Sequence, residues 1–301
     1  MSKLIVTGGA GFIGSHLTDK LVSLGHEVIV VDNLMLGRKE FVNKKAKFYK
    51  ADIRNLKKLS KIFKGAEAVF HLAADPRLQV SIEDPATTHE INVTGTLNVL
   101  IAAKNNNVKK VIFSSSCTVY SPEQPTPFKE ENKLSPVSPY GLHKLMGEEY
   151  CRLFFKLYGL KTVCLRYFNV FGPRKLATGA YPMVIPIFLD QRKNGQELTV
   201  VGDGQATRDY VHVFDVAEAN LRAWQSSIGD GQGINIGSGR QASVNEIAAL
   251  IGGKTKNLPP RPGEMRFVEA DISKAKQVLN WRPTITLEQG IVELKKEWGI
   301  A

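Results

Sequence analysis

Lys3-Leu4-Ile5-Val6-Thr7-Gly8-Gly9-Ala10-Gly11-Phe12-Ile13-Gly14 runs from a short apolar stretch directly into a glycine-rich turn, and on into a helical pattern over residues 12–24. Gly8, Gly11 and Gly14 therefore sit between an expected strand and an expected helix. In that setting a missing side chain lets the backbone approach a diphosphate, which the helix N-terminus then stabilises. The spacing is GxxGxxG, not the commoner GxGxxG of dinucleotide sites, so the turn needs support from the rest of the chain.

That support begins with rhythm. Apolar runs at 3–7, 27–31, 68–72, 108–114 and 161–167 alternate with helical stretches, which is the pattern of βαβ units and a parallel sheet. The fold expected is α/β, a doubly wound parallel sheet carrying a second, smaller α/β lobe. Residues 1–170 form the dinucleotide-binding part, with later crossings of the chain near 205–237. Residues 171–301 form mainly the smaller lobe, because after Phe171-Gly172-Pro173-Arg174 Gly and Pro recur at shorter intervals and the periodicity weakens. Two helical patterns, 91–104 and 141–158, suit either packing against the sheet or the seam of a homodimer.

Composition narrows the class. The 301 residues are 43% hydrophobic, and no apolar run approaches the ~18 residues of a membrane span. The first apolar run reads as a strand and not as a secretory signal. Forty Lys and Arg against 29 Asp and Glu leave a formal charge of +11. The lysines are scattered and accompany no nucleic-acid motif, so the expectation is a solvated basic surface that aids capture of a small anionic substrate, with no nucleic acid bound. Cys117, Cys151 and Cys164 lack metal-ligand spacing, which fits a reduced cytoplasmic protein without a metal.

Asp32 closes the second apolar run, where a carboxylate can bind ribose hydroxyls and repel a 2′-phosphate; NAD is favoured over NADP, with Arg38 nearby to soften the preference. Asp52 and Ile53 follow the third strand and suit the adenine end, or an ordinary turn. Farther on, Tyr140 and Lys144 stand one helical turn apart just after Pro139, and Ser116 follows a strand. A tyrosine ordinarily titrates near 10, and each unit of lowering requires about 1.4 kcal/mol. A neighbouring ammonium and a positively charged nicotinamide supply such stabilisation, which would make Tyr140 an acid/base, with Ser116 sharing a hydrogen bond with it and a substrate hydroxyl.

With these residues in hand, the chain resembles the extended short-chain dehydrogenases/reductases, and within them the nucleotide-sugar epimerases of the UDP-glucose 4-epimerase type. The resemblance runs nearly end to end: TGGAGFIGSHL from Thr7, DNL from Asp32, HLAA from His71, NVTGTLNVL from Asn92, SSSCTVY from Ser114, YGLHK from Tyr140, RYFNVFGPR from Arg166, GDGQATRDYVHV from Gly202 and RPGE from Arg261. It implies an NAD cofactor held by Gly8, Gly11, Phe12, Ile13, Gly14, Asp32, Asn33, Asp52, Ile53, Leu72, Ala73, Ala74, Asn92, Ser114, Tyr140 and Lys144. It implies a UDP-sugar substrate: Ser116 at the reacting hydroxyl, Asn169, Arg208 and Arg261 at the diphosphate, Thr199 and Val201 at the uracil, and Val268 where bulk limits the sugar's 2-substituent. A lysine that some relatives carry after the HLAA-like segment is replaced by Asp75-Pro76-Arg77, and Arg77 is the candidate for its role. His71 and His143 are expected to be structural. The segment Ser114 to Thr118 holds no carboxylate, which disfavours the related 4,6-dehydratases and decarboxylases. Retention of both Tyr140 and Lys144 disfavours a non-catalytic NAD-binding regulator.

Overall fold

A computed structural model describes residues 1–175, 183–259 and 266–300. Among them the strands are β1 (Lys3–Thr7), β2 (Glu27–Asp32), β3 (Lys47–Lys50), β4 (Ala68–His71), β5 (Lys110–Ser116), β6 (Lys161–Tyr167), β7 (Asn169–Phe171), β8 (Leu198–Val201), β9 (Thr207–His212), β10 (Asp230–Ile236), β11 (Gln241–Ser243) and β12 (Thr255–Leu258). Seven of them make one parallel sheet in the order β10-β6-β5-β4-β1-β2-β3. Successive side chains of β1 diverge as a strand requires: Leu4 and Val6 enter one apolar layer with Leu17 and Phe70, and Ile5 enters the other with Ile29 and Val99. Being buried on both faces explains why these strands read as continuous apolar runs.

Helix α1 (Phe12–Ser23) follows β1. Helix α2 (Gly95–Asn105) continues from a wider π turn over Glu90–Thr94, so the helical pattern expected at 91–104 is one rod made of two windings. Helix α3 (Pro139–Tyr158) is bounded by clear signals: Ser138 Oγ accepts from the Gly141 amide at 3.1 Å, Pro139 opens it, and Gly159 closes it at φ +68°. Helix α4 (Val213–Gln225) packs on α1 and returns the chain to the main sheet before β10.

The smaller lobe holds a three-stranded sheet, β11-β9-β7, and a parallel pair, β12-β8. Its own apolar cluster gathers Phe171, Phe188, Leu198, Tyr210, Ile247 and Ile291. Among the described residues no helix is long and apolar enough to cross a membrane.

Candidate active site

The sheet register decides where the motifs meet. Thr7 at the end of β1 pairs with Val31 on one side and His71 on the other; His71 pairs with Phe113, and Ser116 with Tyr167. Everything that follows these strands therefore emerges along one edge, the C-terminal edge on which open α/β sheets place their ligands. A cavity of about 560 Å³ opens there.

The glycines of the turn have separate tasks. A Cβ on Gly8, at φ +73°, would stand 2.7 Å from the Ala73 amide nitrogen, and one on Gly14 would stand 2.2 Å from the Gly8 carbonyl oxygen. Both glycines are required by contacts within the protein. A Cβ on Gly11 would meet only that same oxygen, at 3.2 Å, so its open side faces the cavity. Gly9, to which the sequence reading gave no role, lets the turn lie against Val30 of β2, whose methyls would be 2.8 and 2.9 Å from an added Cβ. Gly11 also leaves α1 without a side-chain cap, so its first-turn amides stay available to a ligand.

Asp32 binds this turn to the end of β2. Its carboxylate accepts from the Ala10 amide at 3.0 Å and the Leu34 amide at 2.8 Å, and burial pushes its pKa upward against those bonds. Each oxygen keeps a free lone-pair direction for ribose hydroxyls. Asp52 is held differently: Arg54 grips it as a fork, at 2.9 and 2.8 Å, and Asn33 donates to it at 3.0 Å. The Arg54 hydrogen bond lowers its pKa to about 2. Phe12, Ile13, Asn33, Ile53, Leu72, Ala73, Ala74 and Ser114 also line the cavity. Asn92 has another place, because its side chain accepts from the Asp75 amide at 2.7 Å and donates to the Asp75 carbonyl at 2.9 Å. Arg77 clasps the Asp75 carboxylate at 2.9 and 2.6 Å, and neither residue is in the cavity's described lining.

Across the sheet, Ser116, Tyr140 and Lys144 share the same cavity wall. Glycine again makes the approach possible: an added Cβ at Gly141 would lie 2.4 Å from the Thr118 carbonyl, and at Gly147 2.4 Å from the Phe113 ring. Helix α3 thus rests directly on β5. Lys144 is buried, its Nζ donating to the Ser114 carbonyl at 2.7 Å and lying 5.8 Å from the centroid of the Tyr140 ring. Burial lowers its pKa to about 8, opposed by the charge of Glu148. Glu148 accepts from Ser115 Oγ at 2.6 Å and from both arms of Arg166, at 2.9 and 2.7 Å. Arg166 continues to the Tyr120 hydroxyl at 2.7 Å, which donates to Asn235 at 2.8 Å. A polar network thereby ties α3 to β6 and β10.

The two histidines have structural surroundings. His71 has its ring nitrogens against the Thr7 and Thr96 hydroxyls, at 2.7 and 3.0 Å, and burial lowers its pKa to about 3. His143 is buried, edge-on to His89, with its pKa lowered to about 4.

The smaller lobe's candidates are more dispersed. Asn169 lines the cavity and donates to the Asp209 carbonyl at 3.3 Å. Arg208, on β9, donates to the Thr207 carbonyl at 2.8 Å, and its charge is felt at the cavity residue Cys117. Thr199 exchanges hydrogen bonds with Gln191 at 3.1 and 2.8 Å, and Val201 ends β8. Val268 is 1% exposed and packs in the main core. None of Thr199, Val201, Arg208 and Val268 is in the cavity's described lining. Arg261, with the rest of its RPGE segment, lies outside the described residues.

Sequence reading missed Met35, Leu36 and Phe41, which fold over the cavity once the Arg38 amide bonds to the Ala10 carbonyl at 2.9 Å. Gly37 was their signal, since an added Cβ would be 2.9 Å from an Asp32 oxygen. Tyr167, Phe168, Arg174 and Lys175 were missed as well, although Tyr167 ends β6, Phe168 follows it, and Arg174 and Lys175 follow β7, as ligand-facing residues do in such sheets.

Comparison with known proteins agrees with this geometry. The model of the NAD dependent epimerase/dehydratase family matches residues 4–237. A putative UDP-glucose 4-epimerase of Methanocaldococcus jannaschii is 43% identical, over 96% of this chain and 95% of that protein. The crystal structure of UDP-glucose 4-epimerase from Thermotoga maritima with UDP-glucose superposes with a TM-score of 0.94 at 40% identity, covering 99% of this chain and 98% of that one. A UDP-N-acetylglucosamine 4-epimerase from Methanobrevibacter ruminantium, in complex with UDP-N-acetylmuramic acid, gives 0.92 at 35%, covering 98% and 99%.

Proposed function

Because this chain belongs to the NAD-dependent epimerase/dehydratase family, we propose that it catalyses the NAD-dependent 4-epimerisation of a UDP-hexose, UDP-glucose and UDP-galactose, with Tyr140 as the acid/base. The observation that carries the reading is the meeting of Ser116, Tyr140 and Lys144 with the glycine turn on one cavity. The cavity's residues fit NAD: an uncapped helix N-terminus for its diphosphate, and Asp32 for its adenosine ribose. When bound, NAD supplies a hydride acceptor that later returns the hydride.

Tyr140 removes the proton of the sugar's 4-hydroxyl as the C4 hydrogen leaves as hydride, and the buried ammonium of Lys144 stabilises the phenolate form that does so. Ser116 steadies the hydroxyl oxygen. After the 4-keto sugar has turned over in the site, with NAD as the group that would supply hydride to its other face, Tyr140 would return the proton to the 4-oxygen. Such a cycle would involve no net oxidation, so the cofactor would stay bound between turnovers.

Elimination or decarboxylation needs a further acid or base near the serine turn. Among the described lining residues the carboxylates are Asp32 and Asp52, which follow β2 and β3 at the far side of the sheet from β5. Glu148 is committed to Arg166 and Ser115. Asn169, with Arg208 and Arg261, is assigned to the substrate diphosphate, and Thr199 and Val201 to the uracil. The M. ruminantium neighbour favours a second substrate, UDP-N-acetylglucosamine. Leu142, Leu153 and Leu157 are exposed along one side of α3 and fit a homodimer seam.

The test is incubation of the protein with UDP-galactose, first without and then with added NAD, with proton NMR of the sugar. UDP-glucose without net NADH supports the reading. Steady NADH release, or no conversion by NAD-loaded protein, overturns it for this sugar and moves the assay to UDP-N-acetylglucosamine.

A further inference from the structure

Beyond β7 the chain turns at Gly172, φ +139°, and its next three residues lie against α1. The Pro173 carbonyl is 2.9 Å from His16 Nε2, Arg174 Nη2 donates to Asp19 at 2.7 Å, and Lys175 Nζ is 5.2 Å from the centroid of the Phe12 ring. Phe12 is the first residue of α1, so the ammonium is delivered to that helix's N-terminus inside the cavity.

An ammonium is badly placed there among protein groups alone. The helix N-terminus is itself the positive end of the macrodipole and presents amides without partners. Among the described residues no carboxylate pairs with Lys175, whereas the neighbouring cavity cations have acids: Arg38 has Glu40 at 3.6 Å and Arg174 has Asp19. Arg174 also keeps a second amino group, Nη1, buried without an acceptor among the described residues. Burial lowers the Lys175 pKa to about 8. Among the described residues the Lys175 ammonium, Arg174 Nη1 and the uncapped first-turn amides of α1 thus have no anion.

We propose that Lys175, helped by Nη1 of the preceding residue Arg174, binds the diphosphate of the dinucleotide cofactor and supplies the positive charge that Arg77, closed on Asp75, does not. The assignment deepens the reading of the cavity as an NAD site and is independent of which sugar is turned over. The cofactor's diphosphate is chosen over the substrate's because the ammonium stands at the glycine turn.

Calorimetric titration with NAD, ADP-ribose, adenosine and UDP, on wild type, Lys175→Met and Lys175→Arg freed of nucleotide, tests this. Lys175→Met should bind NAD and ADP-ribose about 10- to 100-fold more weakly, with adenosine unchanged and Lys175→Arg largely restored. Its unliganded melting temperature should equal or exceed that of wild type, since a half-buried charge with no acid partner among the described residues has been removed. NAD affinity within twofold of wild type, a loss confined to UDP, or a lowered melting temperature with adenosine binding lost as well would each overturn the proposal. Failure of epimerisation alone would leave the titration readable.

Discussion

The cofactor side and the substrate side of this molecule are built on different plans. On the cofactor side most of the expected residues follow β1, β2, β3, β4 and β5, adjacent strands of one sheet whose register places their ends in a row, and Tyr140 and Lys144 join them from α3. Fifteen of the sixteen positions expected there, all but Asn92, line the cavity. On the other side, Thr199 and Val201 belong to β8, Arg208 to β9 and Val268 to the core, and of the substrate candidates Ser116 and Asn169 reach the described lining. A site is legible where one continuous sheet makes its geometry, and obscure where separate small elements must be docked.

The strongest challenge to that contrast is Tyr140→Phe. It should lower turnover by about 10²- to 10⁴-fold while NAD affinity stays within twofold, measured by NMR assay and calorimetry. Loss of NAD binding instead would show that the catalytic wall and the cofactor wall are one folding unit.

Next come the glycines. Gly14→Ala forces a Cβ onto a backbone oxygen that cannot swing aside, and should destabilise by roughly 1–3 kcal/mol or more in urea unfolding. Gly11→Ala should leave stability nearly unchanged yet weaken NAD. Equal stability losses for the two would refute the division between packing glycines and the ligand-facing one.

Lys144 gives a pH signature. Its folded pKa is lowered from 10.5 to about 8 by burial. Between those values the unfolded chain holds a proton that the folded protein has released, so this group makes stability rise with pH there. Over the same interval the ammonium that supports Tyr140 disappears. Turnover should therefore fall above about pH 8, and Lys144→Met should be slow at every pH and lack that limb. A flat alkaline profile in the wild type would remove Lys144 from the proton chemistry.

Val268→Ala carries the smallest expected effect. Its buried position predicts a stability loss of about 2 kcal/mol with the ratio of UDP-glucose to UDP-N-acetylglucosamine turnover unchanged. A shifted ratio would give the hexose a partner at this position and extend the substrate wall into the core.

The sequence by itself determined the parallel α/β fold, the glycine turn, Asp32 and the pairing of Tyr140 with Lys144, because each is local: a period, a strand end, one turn of a helix. Strand limits such as 3–7 and 161–167 coincide with β1 and β6 for the same reason. Tertiary structure alone decided the rest. Asn92 looks like a cofactor ligand until the fold brings Asp75 against both ends of its amide, and Arg77 looks like a free cation until its fork closes on Asp75. Lys175 has no motif around it, and becomes notable only when Gly172 turns the chain along α1 and leaves an ammonium at a helix N-terminus. Partners far apart in sequence have no period or spacing, so their pairing exists only where packing brings them within a few ångströms.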